Sequence, residues 1–447
     1  MTMTQSIGQT PPGLIRLHEA ARRDRRLRFN NLLHHVTVEL LEKAYYALNR
    51  KAASGVDGED WSGYGEGLQE RLIELHQRLH TNRYKPRHVK RIWLTKANGK
   101  PRPIGITAIE DKVVQQALVW ILEAIYESDF LGFSYGFRPG RSQHQALDAV
   151  YMAITVRKTS WVLDADIKGF FDAIDHDWMM RFLAHRIADK RILHIIERTL
   201  KCGVDEDGKR ERTVVGTPQG AVISPILGNI YLHYVLDLWA SQWRNRSAGG
   251  ETTIVRYADD SIIGFQYRAD GQRFEAELKE RLAKFGLSLN DEKTHLIEFG
   301  RFAQSNRARR AEGKPETFDF LGFTHVCSRR RSDGGFSLRR YTIAKKQREK
   351  LGQVKQVLRK TRHRHPFDVG RWLRRVVQGY LNYFAVPGNK QALDAFRAEV
   401  CRAWLRALRR RSQKSAGIPW KRMTALIKHF IPSVRVLHPY PNQRLCV

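Results

Sequence analysis

Cysteine is scarce. The 447-residue chain has four, Cys202, Cys327, Cys401 and Cys446, far apart and with no C-x-x-C pair. That spacing argues against a disulfide framework or a thiolate zinc site and reads as ordinary thiols in a reducing cytosol. Long apolar runs are also lacking. The most apolar stretch, 221–240, contains Ser224, Pro225, Asn229, His233 and Asp237 and cannot cross a bilayer cheaply. The opening MTMTQSIGQTPPG is polar and does not read as a signal peptide. The expectation is a cytoplasmic protein with no membrane partner. There is no internal repeat, low-complexity tract or flexible linker. Acid is in short supply: Asp and Glu number 46 against 78 Lys and Arg, a formal net charge of +32. A free metabolic enzyme rarely carries that surface; its natural partner is a polyanion.

What is present bounds the architecture. Hydrophobic residues make up 42%, which supplies real cores and excludes wholesale disorder. At about 150 residues per domain the length allows two to three domains. The charge is uneven. Residues 301–447 hold 35 basic and 8 acidic residues, so +27 of the +32 sits in the last third. A near-balanced body is followed by a strongly basic region.

Helical periodicity runs through 14–50, 68–80 and 108–127, with Ser54-Gly55-Val56-Asp57-Gly58 breaking the first of these. Residues 87–106 read as a hairpin turning at Asn98-Gly99, with basic residues on both arms. A Gly/Pro/Arg loop at 134–142 precedes a helix at 143–156. The β-branched and aromatic content of 159–167 predicts a strand, and one long helix is expected over 176–200. Two short arms flank a turn at Asp205–Gly208. Ser224 is the expected N-cap of the next helix, with Pro225 at its first position. Residues 252–257 and 261–265 read as strands around Ala258-Asp259-Asp260. A helix follows over 270–286. Beyond 340 the pattern is helical and basic: 343–363, 367–384, 390–411 and 419–430.

Acidic residues at strand ends carry the chemistry. Asp166 closes one apolar strand, and Asp259 and Asp260 sit at a hairpin turn. If the strands are neighbours, the carboxylates meet, and each raises the other's pKa. A hard divalent cation removes that conflict, and carboxylate oxygens are what Mg²⁺ selects. Two such ions suit an in-line displacement at phosphorus. An Asp-Asp turn alone is as readily a solvated hairpin. Here Phe170 and Phe171 follow Asp166 at i+4 and i+5, where an aromatic ring could exclude a sugar 2′-hydroxyl.

With these motifs the chain resembles bacterial group II intron-encoded reverse transcriptases and maturases, without their C-terminal endonuclease. The matching blocks come in the family's order: SGVDG at 54–58, KANGKPRPIGI at 96–106, SYGFRPGRS at 134–142, DADIKGFFDAIDH at 164–176, GTPQGAVISPILGNIYL at 216–232, RYADD at 256–260, LSLNDEKTHLIEFG at 287–300 and FLGF at 320–323. GYLNYF at 379–384 resembles the signature of the maturase, or thumb, domain.

The resemblance implies an α/β right-hand polymerase, fingers and palm around an antiparallel sheet, followed by an α-helical thumb/maturase domain. The implied division is an N-terminal extension and start of the fingers at 1–85, fingers and palm at 86–325, the helical thumb/maturase domain at 326–412, and a basic tail at 413–447 that could bind DNA or RNA. Asp166, Asp259 and Asp260 fall on the catalytic carboxylates. With the carbonyl of Ile167 they would hold two Mg²⁺ ions, with Mn²⁺ as a substitute. Phe171 falls on the steric gate, and Gln219 would lie beneath the incoming nucleotide. Lys96 and Arg102 match residues that grip the triphosphate, with Lys90 or Arg91 assisting. Lys293 would protonate the leaving pyrophosphate. Leu321, Gly322 and Phe323 resemble the primer grip. Arg138 and Arg141 would contact template phosphates or brace the fingers.

The implied activity is RNA-directed DNA polymerisation from dNTPs on an RNA template with a DNA primer. Group II intron RNA and target DNA are the further implied partners, with splicing assistance as a second role. The basic helices, with Arg371, Arg374, Arg375, Arg402, Arg406, Arg409, Arg410 and Arg411, suit structured RNA. Trp372, Tyr380, Tyr383 and Trp404 fit the core of those helices better than base platforms. No endonuclease Cys pair follows, so a pre-existing nascent strand is the expected primer. A splicing cofactor without polymerase activity and a reverse transcriptase of another system, such as phage defence, are the alternatives.

Overall fold

The computed structural model describes residues 12–95, 101–206, 208–211, 215–217, 220–330 and 332–444. It is a mixed α/β molecule with small sheets and helices at its C-terminal end. Among the described residues three sheets form. The first is β2-β1-β4-β5, made of β1 (Val89–Thr95), β2 (Pro101–Ile106), β4 (Val204–Glu206) and β5 (Lys209–Glu211). The central sheet is β6-β7-β3-β8, made of β3 (Trp161–Asp166), β6 (Thr252–Tyr257), β7 (Asp260–Phe265) and β8 (His295–Glu298), antiparallel throughout. The third is β11-β10-β9, made of β9 (Phe318–Phe320), β10 (Phe323–Arg329) and β11 (Phe336–Thr342).

The hairpin expected over 87–106 is present as β1 and β2, and its Asn98-Gly99 turn lies outside the described residues. The arms around Asp205 extend the same sheet through a parallel pairing of Val89 with Val204. β3 and β7 lie side by side in the middle of the central sheet, as their apolar content requires.

Three cores hold these parts together. The largest packs the helices Ile109–Tyr126 and Ser224–Leu232 against one face of the central sheet and the N-terminal helices. Ile109–Tyr126 is buried nearly all round: its second half, Ala117–Tyr126, is almost wholly apolar, and the buried polar residues of its first half have partners, Asp111 with Tyr84 and Lys112 with the Ala53 carbonyl. A second core lies between the helix Gln143–Thr155, the sheet's other face and β9–β11. The third belongs to the C-terminal helices Ala344–Lys360, Pro366–Phe384, Lys390–Arg409 and Trp420–Phe430. Trp404 is wholly buried there, and Tyr380 stacks on Phe396 at 3.8 Å, so both rings are core. β10 runs across the boundary expected at 325/326, and the helical region with its own core begins at Ala344.

Three expectations need correction. The helical run over 14–50 is interrupted: Pro12–Arg23 and Val38–Ala47 are separate helices, with one 3₁₀ turn, Leu33–His35, between them. The single helix over 176–200 is two, His176–Ala184 and Lys190–Leu200. Ala188 and Asp189 donate their N–H groups to Phe29, and Asp189 caps the second helix through Arg191 N–H. Its other carboxylate oxygen accepts from Leu32 and Leu33, so tertiary contact outweighs helical propensity. Ser224 is not the N-cap; Ile223 holds that place and Ser224 is the first helical residue. Among the described residues no helix is long and apolar enough to cross a membrane.

Candidate active site

Asp166 is the last residue of β3 and pairs in register with Asp260, the first of β7. The residue facing Asp166 across the ladder is therefore Asp260, while Asp259 stands on the turn between β6 and β7. Ala258 makes that turn at φ +56, a left-handed conformation a non-glycine residue seldom takes. Phe137 at φ +55 and Leu321 at φ +46 are also left-handed, as are Asn82 and Ala311 elsewhere in the chain. Strained backbone of this kind collects where side chains must be held in one arrangement.

The carboxylates are crowded. Asp260 is exposed along part of its surface. Protein packed around its carboxyl, then the charges of Asp259 and Asp166, push its pKa up to about 6. Asp164 is two residues before Asp166, so it projects from the same face of β3. Burial, then Asp260, Asp166 and Asp319, push it up to about 7. The chain's own cation answers part of this. Lys293 Nζ lies 2.8 Å from Asp166 Oδ2, and that bond raises the lysine pKa. Asn290 donates to the same oxygen at 3.0 Å through its side-chain amide, and its N–H donates to the Asp166 carbonyl at 2.8 Å.

This donor set fits a hard divalent cation. Its oxygens are carboxylates held by strand register, where burial first and neighbouring carboxylates second disfavour the charged forms. Among the described residues no three His, Cys, Asp or Glu side chains form a ready-made metal cluster. Asp166 is turned instead toward Lys293 and Asn290.

The other expected residues fall into groups. Ile167 is buried and bridges to Leu289, directly after Asp166. Phe171 is half-buried in the short helix Phe170–Ala173, beneath Gly228; a Cβ there would sit 3.0 Å from its ring. Its carbonyl accepts from Thr217 N–H at 2.7 Å, which ties the ring to the loop leading into Gln219. Gln219 and Lys96 lie outside the described residues. Arg102 pairs with Leu94 through the β1–β2 ladder. Arg91 is ion-paired with Glu206 at 3.2 Å, and Lys90 is exposed.

Arg138 is buried. Its guanidinium is bonded to Glu127 at 2.6 Å and to the Leu131 and Ser134 carbonyls, each at 2.7 Å. Four of its five N–H groups are thus engaged within its own loop and with Glu127. Arg141 donates to the Gly132 carbonyl and lies over Tyr135. Gly322 sits at φ +86. Tyr383 Oη donates to the Leu321 carbonyl at 2.8 Å, and Phe323 packs on Tyr383 and Phe384. The GYLNYF segment is thus the buttress of the 321–323 turn.

Asp164 and Asp319 were not singled out in the sequence. The period-2 alternation of DAD contained the signal for Asp164. Asp319, between two buried phenylalanines in β9, offered none.

Acidic side chains thus crowd together where β3 meets β7 on neighbouring antiparallel strands. Residues 94–325, just over half the chain, match the reverse transcriptase (RNA-dependent DNA polymerase) family, and the chain belongs to it. It is 35% identical to Protein YkfC of Escherichia coli (strain K12) over 54% of this chain and 71% of that protein. It is 37% identical to Group II intron-encoded protein LtrA of Lactococcus lactis subsp. cremoris over 43% of this chain, which is 32% of that protein. It is 27% identical to the Putative COX1/OXI3 intron 1 protein of Saccharomyces cerevisiae over 59% of this chain and 37% of that protein.

Proposed function

We propose that this reverse transcriptase copies an RNA template from a DNA primer and also binds a structured group II intron RNA, assisting its splicing and mobility. One observation carries the polymerase reading: Asp166 directly across the ladder from Asp260, with Asp259 on the adjoining left-handed turn. In this reading the central sheet is the palm, β1 and β2 belong to the fingers, and the C-terminal helices are the thumb.

Asp166, Asp259, Asp260 and the Ile167 carbonyl would hold Mg²⁺, or Mn²⁺ in its place. The bound ions would lower the pKa of the primer 3′-hydroxyl and neutralise charge on the leaving pyrophosphate. The chain's own residues do the rest. Phe171 lies under the incoming sugar and excludes a 2′-hydroxyl by size. Gln219 supports the nucleotide, and Lys96 and Arg102 hold its triphosphate. Leu321, Gly322 and Phe323 support the primer strand. Lys293, held by Asp166 at 2.8 Å, would be the residue that delivers a proton to the pyrophosphate.

The groove between Ala344–Lys360 and Pro366–Phe384 supports the RNA-binding role. It is lined by Arg364, Arg371, Arg374, Arg375 and Trp372. Arg371 is ion-paired with Asp368 there, and the remaining guanidinium groups, beside a half-buried indole, suit phosphates and unpaired bases. The segment 413–447 is divided in this reading. The side chains of His438 and Arg444 reach inward to the Asn382 carbonyl and to Asp148, while Lys421, Arg422, Lys428 and Arg435 remain exposed for nucleic acid.

The test is primer extension with Mg²⁺ and dNTPs on RNA carrying a DNA primer, with the wild type beside Asp259→Ala. The expected result is synthesis by the wild type alone and RNA binding by both. Equal silence from both proteins, in preparations that bind RNA, would overturn the polymerase reading and leave a splicing cofactor.

A further inference from the structure

Three residues before Asp259 stands Arg256, whose side chain is wholly buried. All five of its N–H groups have partners. Nε and Nη2 donate to the two oxygens of Asp237, each at 2.6 Å. Nη2 also donates to Ser134 Oγ at 2.7 Å, and Nη1 to Asn229 Oδ1 at 3.1 Å. The remaining bond, from Nη1 at 2.9 Å, goes to the carbonyl of Ala258. That carbonyl belongs to the peptide that continues into Asp259.

The surroundings are built around the same contact. Asp237 is buried and ends a π-helical turn, His233–Asp237, between two α-helices. Such turns are rare and gather at functional sites. Asn229 turns its other end to the Gly136 carbonyl at 2.7 Å. Gly136 lies so close to the turn that a Cβ would be 2.3 Å from Ala258 N, and both neighbours of Arg256 N–H and C=O, Phe133 and Tyr135, come from the same loop. The loop and the helix carrying Asp237 thus meet on one guanidinium, which grips the strained residue of the turn.

We propose that Arg256 is a positioning residue for nucleotidyl transfer. By holding the Ala258 carbonyl it keeps Ala258 left-handed and so fixes where Asp259 and Asp260 are presented, without touching substrate. Lysine cannot replace it, because an ammonium has three donors and no planar fork. Glycine at 258, however, takes a left-handed φ without steric penalty and would lessen the need for the grip.

The inference rests on the polymerase reading, which wild-type extension tests separately. Given wild-type activity, Arg256→Lys, Ala258→Gly and the double variant are compared by steady-state extension, primer–template affinity and thermal melting. The expected result for Arg256→Lys is a kcat lower by about tenfold or more, with dNTP KM and primer–template Kd within about twofold. The double variant is expected to recover at least about threefold of that kcat. A folded Arg256→Lys with wild-type kcat overturns the proposal, as does a double variant no better than Arg256→Lys at equal melting temperature. Should Arg256→Lys not fold, Ser134→Ala, which removes one neutral acceptor, decides the matter. A lowered kcat at unchanged Kd supports the grip, and an unchanged kcat overturns it.

Discussion

The central sheet and the C-terminal helices both concentrate charge of one sign, in opposite geometries. In the sheet, ladder register and a strained turn hold Asp164, Asp166, Asp259 and Asp260 together, and two of them sit well above the usual carboxylate pKa. In the helices, arginines such as Arg374 and Arg375 project from exposed faces, where water screens their repulsion. The first arrangement suits compact divalent cations; the second suits a long polyanion. The fold enforces the acidic cluster at its own expense, whereas the basic surface costs little and selects its partner by extent.

The comparison is broken most severely at Asp166. Asp166→Asn should lower primer extension by roughly a thousandfold or more, since the proposed function makes it one of the carboxylates that would hold Mg²⁺. RNA affinity should hold, as measured by filter binding; a matched loss of both would show that the two regions do not act separately. Phe171→Ala should follow. It is expected to weaken discrimination against ribonucleotides by about 10–100-fold in competition assays, with dNTP incorporation largely kept. On the basic side, Arg374→Ala with Arg375→Ala should weaken structured-RNA binding by about tenfold. The slope of log K against log salt should fall by about two, one for each lost phosphate contact. Unchanged salt dependence would remove the groove from the RNA surface.

The smallest effect is a change of slope. Asp164 and Asp260 have folded-state pKa values of about 7 and about 6, above the ordinary 3.8. Between those values the folded state binds more protons than the unfolded one. Each group therefore favours folding at low pH and loses that benefit as pH rises from about 4 to about 7. In the metal-free protein, Asp164→Asn should flatten the fall in melting temperature across that window and raise stability at pH 8. Added Mg²⁺ should raise the wild-type melting temperature at pH 8 more than that of the variant.

Much of this was legible in the sequence. The strands around Asp166 and Asp259 declare themselves by β-branched alternation, and their adjacency follows from both being apolar enough for the middle of a sheet. What could not be read was what tertiary contact imposes. The break between His176–Ala184 and Lys190–Leu200 depends on Phe29, far away in sequence. The buried state of Arg138 depends on Glu127 and two carbonyls of its own loop, whereas an Arg-Pro-Gly-Arg string reads as solvent-facing. Arg256 is the strongest case. An arginine beside two aspartates suggests surface charge, yet its inward position in the apolar run TTIVRY was the available signal. Its partner Asp237 becomes inward-facing only through a π turn that no periodicity forecasts.

A second buried pair bears on how the chain reaches this structure. Asp148, in the helix Gln143–Thr155, accepts a hydrogen bond from Arg340 of β11 at 2.9 Å across 192 residues of sequence and is ion-paired with Arg444 at 3.3 Å. Nearby, His438 stacks on His144 at 3.7 Å, and the backbone at Leu437 and His438 bonds back to Ala385. During synthesis Asp148 emerges long before either arginine. A buried carboxylate without its partner is costly, so closure of the second core around it awaits synthesis of Arg340 and Arg444. Such distant pairings make folding slow. The central sheet, whose β6–β7 and β3 contacts are complete much earlier, should acquire protection from hydrogen exchange first, and the helix bearing Asp148 last.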